Sequence, residues 1–176
     1  MDAFTVTFLG HENTKETPEL NRHLELNIRR LLARKKYVQF LVGCDGEFDR
    51  IASAAVRRVR KEYRDDNSLL TLIVTDFKSK YLENVDDEEN YFNSVEVCSI
   101  GTGIRPKHVI PTQNRQMIDR SNLILCYLPH ESPSVWKDVE YANQQGKLVI
   151  NLADAIKMEI AQKKIEAVYN RTTPSE

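Results

Sequence analysis

Gly43-Cys44-Asp45-Gly46-Glu47-Phe48-Asp49 gathers the densest set of residues able to do chemistry. Two glycines three apart, between an apolar run and a helical one, let backbone N–H groups and a helix dipole face an anion. Glu47 and Asp49 argue otherwise, because carboxylates repel a phosphate. They either favour the helix N-terminus or bind ribose hydroxyls, and Asp49 can also serve as an acid or base. A cleaner phosphate site is Ser132-Pro133-Ser134, which offers two hydroxyls at a second helix start, with His130 as a further donor. Ser132 acting only as a helix cap is the alternative. Asn114, Arg115 and Asp119 form a polar helix face on which Arg115 and Asp119, four apart, can also pair. The reading places phosphate near Ser132 and Ser134, and a sugar near the glycine turn.

Hydrophobic periodicity supplies the elements that must position these groups. Phe4–Leu9 reads as a first strand ended by Gly10-His11. Thr17-Pro18 is an N-cap with proline at the first helical position, and Leu20, Leu24, Ile28, Leu31 and Leu32 continue the helix. Tyr37–Val42 is a second strand. Ile51, Ala55, Val59 and Tyr63 recur every four residues after it, and Leu69–Thr75 is a third strand. Such nearly continuous apolar runs suit strands buried on both faces, and the alternation argues for right-handed βαβ units. Asp76 to Pro111 is polar and acidic, with a short strand at Val95–Ser99. A helix over Thr112–Arg120, a strand over Leu123–Leu128, a helix from Ser132 to Gly146, a strand over Lys147–Leu152 and a helix over Ala155–Tyr169 complete the pattern. The expected fold is α/β: a Rossmann-like, doubly wound, mostly parallel sheet of about five strands with helices on both faces. Residues 1–170 read as one domain and 171–176 as a flexible tail. In such sheets ligands bind outside the carboxyl ends of the strands, so Gly10-His11, Gly43–Asp49 and Pro129–Ser134 should converge.

Composition bounds the function. With 41% hydrophobic and 29% charged residues, the chain is an ordinary globular one. No apolar stretch approaches a membrane span, and the N-terminus lacks a signal-peptide pattern, so a cytoplasmic protein is expected. Three widely spaced cysteines and four scattered histidines suit neither a disulfide framework nor a metal site; no metal or cofactor is expected. A net charge of −1 gives no push toward nucleic acid. Trp136 is the first candidate for a partner contact.

Taken together, Phe8-Leu9-Gly10-His11, the Gly43–Asp49 turn with Ile51-Ala52, Asn114-Arg115-Gln116-Met117-Ile118-Asp119-Arg120-Ser121, Glu140-Tyr141-Ala142 and Gly146-Lys147 resemble the SLOG superfamily. This Rossmann-like group includes the Smf/DprA proteins and the LOG phosphoribohydrolases, and the YpsA-like branch is the most similar. The resemblance implies a doubly wound sheet and a site for a nucleotide or nucleotide-derived molecule, formed by Gly10, His11, Gly43, Cys44, Asp45, Gly46, Glu47, Phe48, Asn114, Arg115, Ser132 and Ser134. The LOG pattern Gly-Gly-x-Gly-Thr-x-x-Glu has its threonine position at Glu47 and its glutamate position at Arg50, so LOG chemistry is not implied. The C-terminal half is also similar to nucleoside deoxyribosyltransferases, whose glutamate nucleophile aligns with Asp138. That likeness implies an N-glycosidic hydrolase or transferase acting on nucleoside monophosphates, with Asp138 attacking an anomeric carbon and Asp49 or Asp119 orienting the sugar. The Smf/DprA branch implies single-stranded nucleic-acid binding, against which the near-neutral charge weighs. A homo-oligomer is compatible with all three readings.

Overall fold

The computed structural model describes residues 3–44, 46–76, 91–130 and 132–172. The elements run β1 (Phe4–Gly10), α1 (Pro18–Arg34), β2 (Val38–Val42), α2 (Glu47–Glu62), β3 (Ser68–Thr75) and β4 (Ser94–Cys98). A short 3₁₀ turn, Pro106–His108, leads into α3 (Val109–Arg120), followed by β5 (Leu123–Tyr127), α4 (Pro133–Gln144), β6 (Leu148–Asn151) and α5 (Leu152–Thr172). Six strands form one sheet in the order β4-β3-β2-β1-β5-β6. Every pairing is parallel. The fold is the expected Rossmann-like α/β arrangement, with six strands where about five were expected and the short strand read at Val95–Ser99 forming the edge beyond β3 as β4.

Helices cover both faces because the strands are apolar on both. Val6, Phe8, Phe40, Leu70 and Leu72 pack against Leu20, Leu24, Ile28 and Leu32 of α1 and against Ile51, Ala55 and Val59 of α2. The four-residue spacing of these helical side chains puts them on one face. Each of the Leu, Ile, Val and Phe side chains contributes about 1.5–3 kcal/mol when fully buried. Leu152 and Ile156 at the start of α5 join the same core. On the opposite face Leu9, Ile124 and Cys126 meet Ile118 of α3 and Val135, Val139 and Ala142 of α4. Thr7 also points to that face, where its hydroxyl meets the Ser121 hydroxyl at 2.7 Å. Ser121 donates in turn to the Met117 carbonyl, so the buried hydroxyls are satisfied.

Local signals set the ends of the helices. The Thr17 hydroxyl accepts the Leu20 N–H and Pro18 follows it, which starts α1 as expected. After α4, Gly146 takes a φ of +67°. Its N–H reaches the Asn143 carbonyl and the Lys147 N–H reaches the Ala142 carbonyl, a Schellman stop that favours glycine. Two boundaries differ from the sequence expectation. α3 begins at Val109 behind the 3₁₀ turn, and α5 starts directly at Leu152. No helix among the described residues is long and apolar enough to cross a membrane.

β1 pairs with β2 on one side and β5 on the other. The chain direction across the sheet reverses there, and the connections above the carboxyl ends of β1 and β5 diverge to opposite faces. A crevice at this position is a consequence of the topology.

Candidate functional site

A cleft of about 700 Å³ opens at that switch point. It is bounded by the turns after β1, β2 and β5 and by the start of α3. The three expected turns converge: Gly10, His11, Gly43, Gly46, Phe48, Asp49 and Ser134 all line it, and so do Asn114, Arg115 and Asp138.

The wall built from the turns after β1 and β2 is closed by the protein's own contacts. Asp49, in the first turn of α2, accepts the backbone N–H groups of Gly43 and Gly46. The bond to Gly46, the N-cap residue, is the return arm of a capping box. The next amide, Glu47 N–H, donates to the Glu12 carbonyl at 2.9 Å. The Gly43, Gly46 and Glu47 amides of this turn are thus taken by a carboxylate and a carbonyl. Close approach of protein to protein also explains two of the glycines. A Cβ on Gly10 would lie 2.2 Å from Cγ of Phe48, and one on Gly46 would lie 2.7 Å from Cα of Glu12. Phe48 is fully buried and stacks on Tyr127 with ring centroids 6.2 Å apart, forming the floor of the cleft. Burial pushes the Asp49 carboxyl up to about 6, against the opposing pull of the two amides.

The facing wall comes from α3, α4 and the 3₁₀ turn. Asp138 is 6% exposed, and its Oδ2 accepts from Nδ2 of Asn114 at 2.8 Å. Burial raises its pKa, while the Asn114 bond and the nearby Arg115 charge hold it back. Lys107, His108, Arg115 and Lys137 line the same wall. The Arg115 guanidinium lies over the Tyr141 ring, 5.1 Å from its centroid.

Other expected site residues fall elsewhere. Asp119 does not line the cleft; its Oδ1 accepts the Tyr141 hydroxyl at 2.8 Å and its carbonyl accepts Lys147 Nζ. Tyr141 therefore bridges Arg115 and Asp119, in place of a direct pair. Cys44 and Glu47 are exposed and border a shallow depression shared with Glu12, Asn13, Gly46 and Arg50, where Glu47 pairs with Arg50 at 2.9 Å. Ser132 is the N-cap of α4, yet its side chain makes no capping bond. Its hydroxyl sits 3.5 Å from that of Ser134, and Ser134 alone of the two lines the cleft. Asp45 lies outside the described residues. Among the described residues no three His, Cys, Asp or Glu side chains gather as a metal site.

Sequence reasoning missed Glu12, Lys107 and His108. Arg105-Pro106-Lys107-His108 carried a usable signal, a proline just inside a helical start. Pro106 stands six residues ahead of the helix expected from Thr112, in a stretch too polar to show periodicity.

These features define a parallel α/β protein of Rossmann-like fold with its cleft at the topological switch point. No protein-family model and no curated protein sequence matches the chain. Among solved structures it is similar to DNA processing protein A (DprA) from Streptococcus pneumoniae, with a TM-score of 0.61 and 16% identity over 91% of this chain. The chain spans 56% of the length of that protein. It is also similar to the molybdenum cofactor carrier protein from Chlamydomonas reinhardtii, with a TM-score of 0.51, 10% identity, and coverage of 94% of this chain and 99% of that one. At these identities the likeness is one of fold.

Proposed function

We propose that this chain is a ligand-binding protein whose cleft takes a nucleotide or nucleotide-derived small molecule. The observation that carries the reading is the convergence of three strand-to-helix turns on one cleft of about 700 Å³, lined by basic side chains on one wall and by the carboxylates Glu12 and Asp49 on the other. That volume falls in the usual range for small-molecule sites, roughly 300–1,000 Å³. A neighbour of the same fold is named as a cofactor carrier, which agrees with a binding role. Calorimetry of the folded chain against nucleoside mono- and diphosphates, ADP-ribose species and cyclic nucleotides tests the proposal. Heat of binding to at least one of them is expected, and none at millimolar concentration refutes it.

A second reading is cleavage of an N-glycosidic bond with Asp138 as the nucleophile. It is favoured by one observation: Asp138 is buried in the cleft and oriented by Asn114. Asp49, in the same cleft, is the carboxyl left to orient the sugar, since Asp119 stands outside it. Chromatographic detection of free base from nucleoside monophosphates tests this reading. Undiminished release by Asp138→Asn rules out the assigned role.

A further inference from the structure

We propose that the cleft binds its ligand reversed with respect to the glycine turn, with phosphate against the α3/α4 wall and hydroxyl groups toward Asp49 and Glu12. This rests on the small-molecule reading above and assigns its polarity.

Three observations lead to it. The first is donor availability. At the start of α2, the amides of Gly43 and Gly46 are held by Asp49 and that of Glu47 by the Glu12 carbonyl. A phosphate oxygen arriving there would have to displace a carboxylate from its own helix. At α3 and α4 the N-cap residues, His108 and Ser132, make no side-chain cap bond, and the first turn of neither helix carries an acidic residue.

The second is the division of charge. Lys107, Arg115 and Lys137 stand on the α3/α4 side, and Glu12 and Asp49 on the other. Among the described lining residues Asp138 is the one carboxyl on the cationic side, against three basic side chains, and it is held by Asn114. A phosphate is therefore attracted to one wall and repelled by the other.

The third is space. The glycine turn is filled from behind, with the Glu12 backbone 2.7 Å from the Cβ position of Gly46 and the Asp49 carboxyl 3.1 Å from that of Gly43. The missing side chains make room for the protein's own groups on the cleft side of the turn. Lys107 and Lys137, in contrast, are exposed and free to close on a ligand.

The test uses the ¹⁵N-labelled full chain titrated with inorganic pyrophosphate, AMP and adenosine, followed by amide shifts. With pyrophosphate and AMP, shifts are expected in residues 107–115 and 134–138. The Lys107→Ala/Lys137→Ala double variant is expected to bind pyrophosphate about tenfold or more weakly, the loss of charge-assisted hydrogen bonds. Lys61→Ala, an exposed lysine at the far end of α2, controls for overall charge and is expected to bind as wild type. Phosphate-induced shifts centred on residues 43–47, or unchanged affinity in the double variant, overturn the proposal. So does failure of pyrophosphate and AMP to bind. Pyrophosphate bound at the α3/α4 wall with no nucleotide of the panel bound sustains the polarity and refutes the nucleotide reading.

Discussion

Asp49 makes stability depend on pH in a direction opposite to that of most carboxylates. Its folded-state pKa of about 6 stands above the ordinary 3.8 because burial penalises the charge more than two backbone amides repay. The unfolded chain releases this proton near pH 4, and the folded chain holds it until about pH 6. Between those values folding takes up a proton, so stability falls as pH rises. A gap of about two pH units at 1.36 kcal/mol each amounts to about 3 kcal/mol, fully present below pH 4 and lost above pH 6. Asp49→Asn cannot ionise and removes the dependence, whatever fixed cost the altered hydrogen bonds impose. Urea unfolding of both proteins from pH 4 to pH 8 measures it. The wild-type stability relative to the variant should decline by about 3 kcal/mol across the window and then level off. Parallel profiles would refute the argument, and with it the placement of Asp49 under the glycine turn. Glu159, held down to about 2 by Arg22, Lys163 and His23, acts mainly below pH 4.5. It is common to both proteins and cancels in the comparison.

Further expectations follow from single contacts. Gly10→Ala should destabilise the protein by about 1–3 kcal/mol, because the new methyl meets the ring of buried Phe48; chemical denaturation reads this out. Asn114→Ala should raise the Asp138 pKa further by removing the bond that favours its ionised form, visible in a ¹³C carboxyl titration. Of the three thiols, exposed Cys44 should react quickly with a disulfide reagent. Buried Cys98 and Cys126, the latter pushed up to about 12, should react only on unfolding. Three fast thiols in the native protein would contradict the packing.

The architecture was legible wherever a segment was apolar with a clear period. β1, β2, β3 and β5 were read to within one or two residues, because parallel strands buried on both faces are nearly continuous in Val, Leu, Ile and Phe. The convergence of the turns after β1, β2 and β5 followed from topology alone. The Lys107-His108 rim lies in an exposed 3₁₀ turn, where no face is selected by burial and Pro106 is the one local signal of a helical start. The role of Asp49 was half visible. Its position near a helix start suggested favourable placement in the dipole, but the fold-back onto Gly43 and Gly46 depends on the path of the loop. Asp119 illustrates the converse: four residues from Arg115 it looked like a partner in the site, and the contribution of Tyr141 from another helix drew it outward.

The central claim is that the switch-point cleft is the binding site. The direct measurement is calorimetric titration of the tightest-binding nucleotide into wild type and into Ser134→Trp, an exposed rim position where an indole would fill the mouth of the cleft. With the variant shown to be folded by circular dichroism, binding heat is expected to disappear. Retention of wild-type affinity would contradict the claim and place the ligand elsewhere on the molecule.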